Sequence, residues 1–170
     1  GITRKLVDVD KLLESEIWNY QQVKLGFNYR MADIAAALGV SQMTRLGESI
    51  EKRHAIAKMY DEELAHLPVM TSKQHLHSYS SYHLYPIRLQ LKEIRKTQRE
   101  VYDALRSRDV QVNLHYIPVY LQPYFKALGF KRGYCSEAES YYSEALSIPM
   151  YPTLAKEQME HVITSIKEVI

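Results

Sequence analysis

At 170 residues the chain has room for one domain, or one and a fraction, and for a proper buried core. Its 46% hydrophobic and 25% charged residues are ordinary for a globular protein, and 22 Lys+Arg against 20 Asp+Glu leave no strong electrostatic footprint for nucleic acid. No apolar run approaches membrane-spanning length, no signal peptide is recognisable and the lone Cys135 has no partner for an internal disulfide, so the expectation is a cytoplasmic protein acting neither on nor in a membrane.

The chain starts Gly1-Ile2-Thr3-Arg4 without an initiator Met, as a segment entered from the middle of a longer protein would. Leu6 to Trp18 lacks a clear amphipathic period, with a short helix expected around Val9–Glu14, and Trp18, Tyr20 and Val23 suit an edge strand. Residues 25–39 then organise the chain. Gly26 and Asn28 suit a loop between rigid parts, and from Ala32 strong helix formers take over. Ile34, Leu38, Leu46, Ile50, Ala57, Tyr60 and Leu64 recur at helical spacing, which predicts one helix from about Met31 to Ala65, bent near Gly39 or Gly47.

Leu67-Pro68-Val69 ends that helix, and Thr71 to Ser81 reads as an exposed polar loop. His75, His77 and His83 fall in or beside it, without a carboxylate or Cys at ligand spacing, so no metal is expected. Tyr82 to Leu89 alternates as a strand, with Pro86 assigning it to an edge. Thr97 caps a helix to about Arg106 that turns Val101, Ala104 and Leu105 inward; Arg108-Asp109 then turns the chain into a second strand, Val110 to His115. A Pro-punctuated loop follows, then a short helix over 123–128 that Gly129 ends, and a basic loop from Lys131 to Tyr134. Ser136 and Glu139 have capping-box spacing for a helix running through Ala145-Leu146. Ser147-Ile148-Pro149 is extended, and Thr153 starts a last helix striped by Met159, Val162, Ile163 and Ile166. The fold class is α+β: a long linker helix, then a small antiparallel sheet covered by helices on one face. Fourteen tyrosines against three phenylalanines fit a ligand-facing or interface surface, or a tyrosine-rich edge of the core.

Two function classes compete for the central stretch. Ile34-Ala35-Ala36-Ala37-Leu38-Gly39-Val40-Ser41-Gln42 mimics the first helix and turn of a helix-turn-helix, which would make residues 31–53 a DNA-binding or regulatory unit. Six and nine residues after the glycine, however, where that motif packs apolar side chains, stand Arg45 and Glu48, and burying unpaired charge is costly.

The alternative rests on three stretches. Gly26-x-Asn28-x-Arg30-Met31-x-Asp33-Ile34-x-Ala36-Ala37-Leu38-Gly39, His115-Tyr116-Ile117-Pro118-Val119-Tyr120-x-x-Pro123-Tyr124-Phe125 and Ser147-Ile148-Pro149-Met150-Tyr151-Pro152 occur in this order. Together they resemble the nucleotide-sugar aminotransferases of the DegT/StrS type, across nearly the whole chain. The resemblance implies the C-terminal part of a fold-type-I enzyme that uses pyridoxal phosphate to move an amino group from glutamate or glutamine to a keto-sugar nucleotide. The Asn113–Tyr116 context is most similar to enzymes of pseudaminic-acid and spore-coat polysaccharide synthesis.

On that resemblance residues 1–24 are a remnant of the large cofactor domain, 25–66 an active-site loop and connecting helix, and 67–170 the small C-terminal domain. The family's lysine segment, similar to H-x-x-K-x-x-T-x-G-E-G-G, is absent, and neither Lys5 nor Lys24 has its flanking Thr and Gly. The chain thus carries no catalytic residue of its own and is expected to be inactive alone. Asn28 and Arg30 are the implied cofactor-binding residues, Asn28 reaching the site of a second subunit in a homodimer with shared sites and contacting substrate as well. For Arg30 a phosphate contact and pairing with Asp33 are rivals. Asn113, Leu114, His115 and Tyr116 take the substrate-binding position; a structural role for His115 stands beside it. Tyr120, where relatives vary, and Lys131 and Arg132 are left without an assigned role.

Overall fold

The computed structural model describes residues 2–3, 21–27 and 29–170. The expected helix over 9–14, the aromatic anchors Trp18 and Tyr20, and Asn28 lie outside the described residues. Two compact units divide the chain, residues 1–45 and 46–170.

In the first unit β1 (Ile2–Thr3) pairs antiparallel with β2 (Gln21–Gln22), and α1 spans Asp33–Met43. The expected single helix is two: α1 ends at Thr44, whose Oγ1 donates to the Ser41 carbonyl at 2.8 Å, and α2 (Leu46–Leu64) begins two residues later. The break falls at neither Gly39 nor Gly47. Thr44 prefers a local side-chain-to-backbone bond, which competes with helix propagation. None of α1's residues is buried, so within its own unit the apolar periodicity through Ile34 and Leu38 does not face a core.

The surface of this unit is apolar instead. Phe27, Tyr29 and Ile34 are 84%, 90% and 86% exposed, with Phe27 stacked on Tyr29 at 5.3 Å. Contiguous apolar surface of this kind drives association. The isolated chain is therefore expected to self-associate, and the double substitution Phe27→Ser/Ile34→Ser to reduce that association. Sedimentation velocity over a concentration series checks this; a monomer at the highest concentration would refute it.

The second unit carries the core. After α2 come β3 (Val69–Thr71), β4 (Tyr85–Leu89), α3 (Gln98–Arg106), α4 (Pro123–Ala127), α5 (Ser136–Glu144), β5 (Ala145–Ile148) and α6 (Lys156–Val169). The three strands form an antiparallel sheet in the order β3-β4-β5. On β4, Tyr85, Ile87 and Leu89 alternate inward as the strand period requires. They join Ala57, Tyr60 and Leu64 of α2, Val101 and Leu105 of α3, and Val162, Ile163, Ile166 and Val169 of α6. Both α2 and α3 pack on α6. Arg88, on the opposite side of β4, sends Nε and Nη2 to Glu144 Oε2 at 3.1 and 2.7 Å, tying α5 to the strand. The α+β class with a long linker region and a small helix-covered antiparallel sheet is what forms.

Several local expectations shift. Pro86 lies in the central strand, not an edge. β3 ends opposite Ile87, so Pro86 sits beyond the last β3 pair, where a missing N–H breaks no ladder bond; toward β5 it pairs with Ser147. Val69–Thr71, where Val69 was expected to end the helix and Thr71 to open a polar loop, is a strand. Val110 to His115 forms no ladder: Val110 and Val112 are buried as a strand's would be, but only Asn113 pairs, with Ser147. The helix expected through Leu146 stops at Glu144, because burying all four residues of β5 in the sheet outweighs their helix propensity. Thr97 does cap α3 by a reciprocal box with Glu100. The last helix starts three residues after Thr153, where Gln158 Oε1 accepts the Ala155 N–H at 3.0 Å. Among the described residues no helix is long and apolar enough to cross a membrane.

Candidate functional site

The edge of the sheet positions the candidate site. The Asn113 N–H donates to the Ser147 carbonyl at 3.1 Å and accepts the Ser147 N–H on its own carbonyl at 2.8 Å, so one residue pair continues the sheet beyond β5. This anchor releases the following residues toward solvent. Asn113 Oδ1 accepts the Leu114 N–H at 2.8 Å, a local bond that turns the chain out of strand geometry. Asn113 and Leu114 line a cavity of about 300 Å³ with Gln98, Arg99, Tyr102 and Tyr142. Gln98 holds the wall together, its Nε2 donating to the Tyr142 and Ala145 carbonyls at 2.9 and 2.8 Å. Sequence reasoning missed this wall. Its residues lie on α3 and α5, far in sequence from Asn113, and no motif carried them.

His115 is half-buried and its Nδ1 lies 2.8 Å from Ser147 Oγ. Ser147 is itself buried, at 5% exposure. Whichever of the two carries the proton, the bond fixes the ring and leaves Nε2 as the second polar position. Among the described residues no protein group engages Nε2. The histidine therefore combines both readings: held structurally on one nitrogen, available on the other. Ser147 went unassigned in the sequence, although it heads the third motif; that motif's spacing said nothing of which residue it would hold. Tyr116 is 71% exposed, its ring edge-to-face with His115 at 4.7 Å.

The structure thus brings Asn113, Leu114, His115 and Tyr116 together as one arm. Arg30 belongs to the other unit and is exposed, and no Arg30–Asp33 ion pair forms among the described residues.

Tyr120 acquires partners. It sits in a 3-10 turn, Val119–Leu121, and its hydroxyl donates to Glu139 Oε1 at 2.8 Å and to the Cys135 carbonyl at 2.9 Å. Glu139 Oε1 also accepts the Gly133 N–H at 2.7 Å, so the expected capping box does not form: the glutamate reaches across to a loop rather than back to its own helix, and Cys135 is the N-cap residue. Both bonds favour the ionised form and hold the Glu139 carboxyl below the usual glutamate range, Tyr120 contributing most. A lowered folded-state value means this support is present above the ordinary glutamate range and is lost as pH falls through the lowered one. Hydrogen exchange of the Gly133 amide is expected to accelerate, relative to core amides, only as pH falls below the ordinary glutamate range. Glu139→Gln should remove that pH dependence; an unchanged profile would refute the assignment.

The model of the DegT/DnrJ/EryC1/StrS aminotransferase family matches residues 9–167. A UDP-4-amino-4,6-dideoxy-N-acetyl-beta-L-altrosamine transaminase of Campylobacter jejuni is 36% identical over 154 residues, 86% of this chain and 40% of the relative. The spore coat polysaccharide biosynthesis protein SpsC of Bacillus subtilis is 30% identical over 156 residues, 90% of this chain and 40% of the relative. Spr1654 of Streptococcus pneumoniae, solved in a PMP form, superposes with a TM-score of 0.83 at 25% identity, over 99% of this chain and 42% of its own. The chain spans about two fifths of the length of the curated relatives it matches. With the family match covering all three motifs and the fold reproduced over nearly every residue, the chain belongs to the DegT/DnrJ/EryC1/StrS aminotransferase family.

Proposed function

We propose that this chain is the substrate-side part of a pyridoxal-phosphate-dependent aminotransferase that moves an amino group from glutamate or glutamine to a keto-sugar nucleotide, in amino-sugar or polysaccharide synthesis, as a cytoplasmic homodimer with shared sites. The observation that carries this reading is the family match over residues 9–167, which contains the arm at residues 113–116.

The residues present fit a role beside the cofactor rather than its covalent attachment. Arg30 is exposed with its fork not taken by Asp33, which suits a phosphate oxygen, and Asn28 would add neutral amide donors from the neighbouring loop. Pyridoxal phosphate, when bound, supplies an electron sink for the substrate's carbon chemistry. Asn113 and Leu114 shape the wall against which the sugar nucleotide rests. His115, fixed by Ser147, offers Nε2 to a hydroxyl or phosphate oxygen, and Tyr116 adds a phenol that both donates and accepts. Orientation of this kind is the main contribution a binding arm makes to rate.

The lysine-bearing segment is not among these 170 residues, so the chain alone is expected to take up no pyridoxal phosphate covalently and to be inactive. Purified chain is incubated with the cofactor, reduced with borohydride and mapped by peptide mass spectrometry. Sparse labelling scattered over surface lysines is the expected result; one stable adduct at a single lysine would overturn it.

A further inference from the structure

One hydrogen lies between His115 and Ser147, and the surroundings of Ser147 decide which of the two supplies it. Ser147 is on β5, is 5% exposed, and directs both backbone groups to Asn113. Its carbonyl accepts the Asn113 N–H at 3.1 Å, and its own N–H donates to the Asn113 carbonyl at 2.8 Å. On the other side of the strand it stands opposite Pro86, which has no N–H. Among the described residues the side chain is left with one partner, His115 Nδ1, 2.8 Å from Oγ.

A serine hydroxyl carries one proton and can also accept, whereas each nitrogen of a neutral imidazole either carries a proton or accepts one. If Nδ1 carried the proton, Oγ would accept it and its own O–H would point into the protein without an acceptor. A buried donor left unmade is more costly than a made bond is favourable. If Oγ instead donates to a bare Nδ1, the hydroxyl proton is satisfied and so is the ring nitrogen. That matches the rest of the molecule, where no buried side-chain nitrogen or oxygen among the described residues lacks a partner. The remaining ring proton then sits on Nε2.

We propose that Ser147 is a positioning residue for the arm: its hydroxyl holds His115 as the Nε2–H tautomer, so that the histidine meets substrate as a hydrogen-bond donor. A ring nitrogen that carries its proton has no lone pair to offer, so His115 binds an acceptor oxygen and does not withdraw a proton from the substrate. Asn113 sets the reach, because its two backbone bonds to Ser147 fix where the chain stands two residues later. What Nε2 meets rests on the substrate-arm reading of residues 113–116; the tautomer rests on the geometry alone.

The first test uses the chain with isotope-labelled histidine, at a pH above the ordinary histidine range. Long-range proton–nitrogen spectra read which ring nitrogen is bare, and His115→Gln identifies the signals. Nδ1 bare and Nε2 protonated is the expected result; the reverse overturns the proposal. Ser147→Ala should move the Nδ1 resonance toward that of the exposed His83, while Ser147→Thr, which keeps a hydroxyl, should hold it near the parent position. Core amide shifts report an intact fold in both variants. An Nδ1 resonance indifferent to Ser147→Ala also overturns the proposal. The second test uses the full aminotransferase. Ser147→Ala should raise KM for the sugar nucleotide roughly twofold to tenfold with a smaller change in kcat, and Ser147→Thr should recover it. In a His115→Ala background Ser147→Ala should add nothing, since it acts through that ring; additive losses would show a role in packing only and refute the positioning. The spectra need no turnover. The expected tautomer in a protein that fails to transaminate refutes the enzyme reading alone; the opposite tautomer in an active enzyme refutes the role of Ser147 alone.

Discussion

Replacing Arg53 with alanine is expected to destabilise the 46–170 unit by about 3 kcal/mol, a large share of the stability of a domain this size. A single nitrogen, Nη1, donates to the carbonyls of Tyr82, His83 and Met150 at 2.7, 3.2 and 3.1 Å. It thus joins α2 to the entry of β4 and to the exit of β5. Tyr82 has φ of 45°, a left-handed conformation that is costly for a bulky residue and is held only when surroundings over-determine it. Its ring is buried against His54 at 4.9 Å, and Arg53 fixes its carbonyl. Removing the guanidinium leaves three carbonyls without their charged donor and releases that loop. Arg53→Lys should recover only part of the loss, because the lysine ammonium sits one bond nearer the backbone than Nη1 and falls short of the three carbonyls. Urea denaturation checks both variants: a midpoint within error of the parent for Arg53→Ala would show that the three bonds together are dispensable and would refute the prediction.

The second large effect concerns Asn28 and tests the shared site. In the full aminotransferase, a mixed dimer of one subunit carrying Asn28→Ala and one lacking the cofactor-bearing lysine collects both defects in one site. The other site keeps its lysine and receives an intact Asn28 from its partner. The asparagine's contribution is bounded by a hydrogen bond to a charged phosphate, about 1.5–3 kcal/mol, or roughly tenfold to a hundredfold in rate. Subunit exchange between the two weak homodimers should therefore restore activity, to at most half the wild-type rate per mixed dimer. Activity that stays at the average of the two homodimers would place Asn28 in its own subunit's site, or in none.

The site residues differ in how far local sequence could reach. The arm at residues 113–116 could be named from the sequence because His115 and Tyr116 open the second motif and contiguous residues stay together in any fold. What His115 does was not legible. Its partner Ser147 lies 32 residues on and is reached only because Asn113 pairs across the sheet edge. Glu139 misled for the same reason: spacing from Ser136 offered a local partner, and a loop glycine and a tyrosine brought in by tertiary packing won instead. Lys131 to Tyr134 read only as a basic loop, since the bracing of Tyr134 by Tyr120 leaves no trace in residue order.

By itself the sequence determined the family, the capping of α3 by Thr97 and Glu100, the inward face of β4 and the apolar stripe of α6. Each depends on residues within a turn or two of one another, where backbone geometry alone sets the neighbours. Tertiary structure decided the rest. Pro86 occupies a central strand because β3 is short, and Ala145–Ile148 leaves α5 for the sheet because both sides of that strand are covered. In each case a local preference worth a few tenths of a kcal/mol met a burial or hydrogen-bond difference of one or more, and the larger quantity is one that only long-range partners supply.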